Sequence, residues 1–323
     1  MVILCVAAGS AVVVLAVVGL VLGDFPVPVR SAIAAALWDR GSEFDFVIHS
    51  LRLPRLAVAV LAGMCLAASG ALFQALIDNP LVSPDVIGID TGAAAAAVTI
   101  LAAGFAPRWL PLAAFGGALA AAGLILALAW RRGTSGARVV LVGIGINALL
   151  SAVITFMLVR FPIERVSAAA RWQAGTLSSS SWGDARTLAV GAAVLVPLAY
   201  VLVRRLRAMQ LGDDAAVGLG VPLERSRVAV VATGCGLAAV VVAVVGPLGF
   251  VALLVPHIAR ALAGSLGIGV MTLTVLLGAV MLLSADIAAQ RLFAPTVLPA
   301  GVMTAALGGP YLLWVLRRFH RAG

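Results

Sequence analysis

Long apolar runs, each close to the length that crosses a bilayer, alternate along this chain with short breaks that carry arginine, proline or glycine. Ten such runs are present, near 2–23, 54–77, 85–104, 109–130, 138–160, 185–203, 227–247, 250–266, 268–292 and 299–317. About 20 apolar residues span a hydrocarbon core, so each run predicts one transmembrane helix. The eighth is the most interrupted, by Pro256 and His257. The first run lacks a basic flank and an A-x-A site before Asp24, so it predicts a retained helix and not a cleaved signal. The pattern predicts an all-α polytopic membrane protein of about ten transmembrane helices, with 1–323 as a single domain.

The stretch from Leu51 to Ala95 carries the most information. An apolar helix with arginines at its start ends in a polar turn punctuated by Pro80 and Pro84, and a second apolar run follows at once. Backbone groups freed at such a break cannot face lipid, so it lies at a membrane surface or is buried in protein. That is the signature of a transport machine.

Composition supports the pattern. Hydrophobic residues make up 63% and charged ones 11%, with a mean hydropathy of +1.15, which excludes a soluble domain of this length. The net charge of +9 suggests nucleic acid at first sight, but the arginines are scattered over short loops with no basic footprint. Arg131, Arg132 and Arg138 share one loop, Arg204, Arg205, Arg207, Arg225 and Arg227 another, and Arg317, Arg318 and Arg321 the tail. With ten spans these fall on one side together with Arg260. The positive-inside tendency makes that side the cytoplasm, and both termini with it.

All 22 basic residues are arginine. Without lysine there is no phosphate-binding G-x-x-x-x-G-K-[ST] loop and no Schiff base, so an ATP-driven process would need another chain for hydrolysis. His49, His257 and His320 have no ligand spacing, and Cys5, Cys65 and Cys235 sit singly in apolar runs. No metal, cofactor or catalytic group is expected on this chain.

Small and polar residues within the spans are the remaining candidates. Gly143, Asn147, Ser151 and Thr155 recur at four-residue spacing on one helical face, and Gly301, Thr304 and Gly308 form a similar stripe. Each reads either as close helix packing or as the wall of a smooth, mildly polar pathway. A third stripe, Gly63, Ala67 and Ala71 leading to Gln74, favours packing. Asp286 lies near the end of the ninth span and is expected to bond a neighbouring helix, Gln290 or Arg291; a proton relay through it is the alternative. The segment 208–227 is the longest on the predicted cytoplasmic side. Its Asp213 and Asp214 suit the start of a short surface helix, a docking element for a partner.

These residues also carry a resemblance. R-L-P-R, S-G-A-x-x-Q, N-P-L-x-x-P and G-x-x-x-G-A occur between Arg52 and Ala93, W-x-x-G-[ST]-L at Trp172 to Leu177, and G-D-D-A-A-x-x-L-G at Gly212 to Gly220. G-P-L-G-F-V-x-L-L-V-P-H-I-A-R covers Gly246 to Arg260, and A-D, L-P-x-G-V-x-T-A and G-x-P run from Ala285 to Pro310. Together they resemble the FecCD-type permeases of bacterial type II ABC importers, in finer detail the second permease subunit of ferric-enterobactin-type systems.

The resemblance implies a subunit for ferric siderophore import across the cytoplasmic membrane by alternating access; cobalamin or haem import by the same machine is the near alternative, and a proton-coupled transporter using Asp286 the distant one. It implies partners: a related permease subunit, as a heterodimer or else a homodimer, two ATP-binding cassette subunits that hold ATP and magnesium, and an extracytoplasmic substrate-binding protein. It places coupling to the ATPase on Leu211, Gly212, Asp213, Asp214, Ala215, Gly218, Leu219 and Gly220, and docking of the binding protein on Arg52 and Arg55. A third docking arginine of the family falls where this chain has Gln290, and Arg291, one place later, is the docking candidate there.

Overall fold

The computed structural model describes residues 1–23, 25–37, 43–129, 136–294 and 296–319. Asp24, Arg131, Arg132, His320 and Arg321 lie outside them. Among the described residues the chain is helical throughout, with no strand.

Every predicted run coincides with a helix. α1 (Val2–Val21) is followed by a short α2 (Val29–Leu37), and a π-helical turn at Phe46–Arg52 leads directly into α3 (Leu53–Ile77). The third run is broken into α4 (Pro84–Ile87) and α5 (Ile89–Ala102); α6 (Leu110–Ala129) and α7 (Gly136–Arg160) follow. After α8 (Ile163–Gln173) come α9 (Trp182–Met209), α10 (Asp213–Gly218) and α11 (Leu223–Val245). The chain closes with α12 (Val251–Ala263), α13 (Ile268–Arg291) and α14 (Ala300–Phe319). Seven of these helices are long and apolar enough to cross a membrane, whereas α5 and α12 are shorter apolar helices.

α3 is the axis of the bundle, packed against α13, α11, α9 and α12. Of its most apolar window 78% is buried inside the subunit, against 17% for α7, which therefore stands at the periphery. Small residues permit this crowding. A methyl group at Gly63 would sit 2.2 Å from the Gly278 carbonyl oxygen, and one at Gly278 would sit 2.2 Å from that of Gly63. The backbones of α3 and α13 thus touch, as small-residue interfaces allow. Polar glue joins the same core: Ser69 Oγ donates to the Gly234 carbonyl at 2.7 Å and Gln74 Nε2 to that of Leu253 at 2.8 Å. The stripe from Gly63 to Gln74 is a packing face, as its spacing suggested.

Two stretches of irregular backbone interrupt the bundle. Between α3 and α5 the chain turns through Asp78 (φ 51) and Gly88 (φ 96); between α11 and α12 it passes Gly246 (φ 78) and Phe250 (φ 69). Left-handed φ at the non-glycine Asp78 and Phe250 costs energy that surrounding packing must offset. With 14 and 13 residues, α5 and α12 rise only about 21 and 20 Å, short of a ~30 Å hydrocarbon core. Their first turns accordingly sit at depth. A Cβ at Gly88 would meet Asn147 in the middle of α7, and one at Gly70, two turns inside α3, would meet the Ala252 carbonyl.

Candidate functional site

α3 and α13 run antiparallel, since Arg55 meets Asp286 and, eight residues along each helix, Gly63 meets Gly278. Three zones follow along this axis.

At the Arg55 end, Arg55 Nε donates to Asp286 Oδ2 at 2.9 Å and its Nη2 to Oδ1 at 2.8 Å, a bidentate ion pair. The Asp286 side chain is only 2% exposed and that of Arg55 18%. Gln290, one turn beyond Asp286, donates from Nε2 to Oδ2 at 2.9 Å. Arg52 turns the other way. Its guanidinium donates to the carbonyls of Leu20, Val21 and Phe25 and so closes the last turn of α1, whose carbonyls have no intrahelical partner. Arg291 borders a neighbouring cavity with Val21, Leu22, Gly23, Pro26 and Val27.

The middle zone is where the irregular segment between α3 and α5 meets α7. Gly143 faces the Ile87 carbonyl so closely that a methyl there would lie 2.7 Å from it. Asn147 Oδ1 accepts from Thr91 Oγ1 at 2.6 Å. Beyond these, Ser151 and Thr155 stand on the exposed face of α7, where Thr155 Oγ1 donates to the Ser151 carbonyl at 2.9 Å. One stripe therefore begins as a packing surface and ends as an open, mildly polar one.

At the opposite end lies α10. Ala216 is its buried residue, while Leu211, Val217 and Leu219 in and beside it are exposed at 69%, 59% and 65%. Arg227 on α11 grips Asp213 through Nη2, at 2.9 Å to Oδ1 and 2.8 Å to Oδ2, and its Nη1 reaches Glu224 at 3.4 Å. Behind α10 is a cavity of about 280 Å³, with Asp78, Leu126, Leu206, Gln210, Asp213 and Arg227 in its wall. This end thus offers an exposed apolar knob, a charged tether and room behind it.

Residues 11–318 match the FecCD transport family. The chain belongs to that family. It is 39% identical, over 97% of its length and 94% of the relative's, to the ferric enterobactin transport system permease protein FepG of Escherichia coli (strain K12). To the probable siderophore transport system permease protein YfhA of Bacillus subtilis (strain 168) it is also 39% identical, over 88% of this chain and 85% of that one. Among solved structures, an inward-facing transporter described as of the metal-chelate ABC type superposes with a TM-score of 0.82 at 24% identity, covering 97% of this chain and 98% of the other, a likeness of fold. This FecCD chain is therefore a multi-pass membrane transport subunit and not an enzyme.

Several sequence expectations take a different form in the folded chain. Arg55, which the resemblance assigns to docking, is largely covered and bound to Asp286, because a buried carboxylate demands a charged partner. Asp286 does bond a neighbouring helix, and Gln290, in place of the family's arginine, is its second donor. Thr304 and Gly308 do not line open space. Thr304 is fully buried and donates to the Gly301 carbonyl at 3.0 Å, while a Cβ at Gly308 would collide with the Phe250 ring.

Two acids escaped the sequence reading. Asp85 and Asp90 flank the Gly88 break, and each has a buried Oδ1 without a hydrogen-bond partner among the described residues, as does Ser83 Oγ. The signal was the position of two acids within five residues of a turn inside an apolar region. Polar groups left unmatched in an apolar surrounding are costly.

Proposed function

We propose that this FecCD-family chain is the permease subunit of an ABC importer that carries a ferric siderophore inward across the cytoplasmic membrane. The observation that carries the reading is α10. It exposes Leu211, Val217 and Leu219 beside the Asp213–Arg227 tether, on a chain whose lack of lysine leaves no nucleotide-binding loop. An exposed apolar cluster on a membrane protein's aqueous end marks a partner surface, and here the partner is an ATPase subunit that holds ATP and magnesium. Two such subunits and a related second permease complete the importer, with Ser151 and Thr155 on the face turned to the central pathway. Both termini lie in the cytoplasm. The opposite rim, with Arg52 and Arg55, receives the acidic face of a substrate-binding protein.

The substrate class is supported by the relatives, whose names specify ferric enterobactin and siderophore transport. Proton-coupled transport through Asp286 is disfavoured, because both of its carboxylate oxygens are engaged by Arg55. The test is uptake by the reconstituted complex from a panel of ferric catecholates, ferric hydroxamates, haem and cobalamin. We expect ATP-dependent uptake of a ferric siderophore that persists with an uncoupler when ATP is held constant. Uptake that collapses with the proton gradient under fixed ATP, or that accepts only haem or cobalamin, overturns the reading.

A further inference from the structure

Arg55 presents two edges with different surroundings. Nε and Nη2 are taken by Asp286, and Asp286 is held in turn by Gln290 Nε2. Nη1 makes no hydrogen bond to any described residue, and the side chain keeps 18% of its surface open. A guanidinium has five donors in a rigid fork, so a second carboxylate can be received on the free edge without releasing the first.

The charge of the pair follows a different rule from its hydrogen bonds. Asp286 and Arg55 cancel beyond a few ångströms, so the pair adds little to the long-range field that steers an approaching acidic surface. At contact, however, a fork already held in place loses little rotamer freedom on accepting a partner.

We propose that Asp286 and Gln290 are positioning residues for docking: they grip one edge of Arg55, present its Nη1 edge to a carboxylate of the incoming substrate-binding protein, and mask its charge until contact. The proposal rests on the docking reading above and makes signed kinetic forecasts. Removing a pre-positioned contact raises the dissociation rate, whereas unmasking a rim charge raises the association rate and its salt dependence.

The experiment measures association and dissociation of the importer's own binding protein on the assembled complex in nanodiscs, at several salt concentrations. Arg55→Ala should speed dissociation roughly tenfold, the scale of a charge-assisted hydrogen bond, and, by leaving the Asp286 carboxylate unmasked, slow association of an acidic surface about two- to threefold at low salt. Asp286→Asn should speed association about two- to threefold at low salt, with a steeper salt dependence, and also speed dissociation. Gln290→Leu, which keeps the ion pair, should speed dissociation a few-fold with association unaltered.

Wild-type rates in assembled Asp286→Asn complexes, even with a lowered melting temperature, would reduce Asp286 to a structural tie and overturn the proposal. Where Asp286→Asn fails to assemble, unchanged dissociation in Gln290→Leu overturns it equally. The Arg52→Ala, Arg55→Ala double variant separates the levels. Wild-type docking there removes the docking reading itself, whereas weakened docking there with wild-type rates in Asp286→Asn removes only the role of Asp286.

Discussion

The tether between α10 and α11 sets a quantitative expectation for coupling. Arg227 is well covered, with 18% of its side chain exposed, but Asp213 is 56% exposed, so solvent screens the pair and its contribution belongs near the upper end of the range for exposed ion pairs, about 1 kcal/mol. That amount shifts the balance between held and released α10 about fivefold. Because Ala216 is the buried residue of α10 and a cavity lies behind the helix, the loss is not made good by other contacts. Arg227→Ala is therefore expected to lower substrate transported per ATP hydrolysed by up to about fivefold, while basal hydrolysis by the ATPase subunits and assembly of the complex remain. The assay is paired uptake and phosphate release in proteoliposomes. The exchanged pair, Asp213→Arg with Arg227→Asp, restores the tether with opposite polarity and should recover at least half of the lost ratio. An unchanged ratio in Arg227→Ala, or an exchanged pair as impaired as the single variant, would refute tethering as the means by which α10 moves α11.

Two further expectations concern the bundle. Single cysteines at Ser151 and Thr155, in a background without Cys5, Cys65 and Cys235, should react with water-soluble thiol reagents in at least one nucleotide state, whereas a cysteine at the fully buried Thr304 should stay inert in all of them; the reverse order would place the pathway on α14. Gly63→Val drives side-chain carbons into the Gly278 carbonyl and should cost about 3 kcal/mol or more of bundle stability, read as a large drop in the melting temperature of the purified complex; an unchanged value would show that α3 and α13 do not make their closest approach there.

The ten helices were legible because the need to hide backbone polar groups from lipid writes itself as run length, which a single sequence displays. α10 was legible as paired acids ahead of a short stretch of alanine and glycine. What stayed hidden depended on partners remote in sequence. The bond that covers Arg55 comes from Asp286, 231 residues away, and no local pattern distinguishes a covered arginine beside an apolar run from an exposed one. The stripes on α7 and α14 have the same small-residue spacing, yet Thr304 is buried and Gly308 is sealed by Phe250 in a left-handed conformation that the sequence does not announce. α2 and α8 were missed because neither reaches bilayer-crossing length, with 9 and 11 residues.

The half-length helices α5 and α12 constrain how the chain can be made. Neither they nor the irregular backbone in front of them can stand in lipid alone, since their open N–H and C=O groups need protein around them. α12 emerges from the ribosome after α3, one of its main packing partners, so part of its shelter already exists. The stretch from Asp78 to Gly88 has no such order of birth: α7, against which Gly88 and Ile87 lie, is synthesised later. During biogenesis this stretch must wait in the aqueous margin or inside the insertion machinery until α7 arrives. Its threading into the bundle is then a late step of assembly, and the point at which a truncated or stalled chain would be recognised as unfinished.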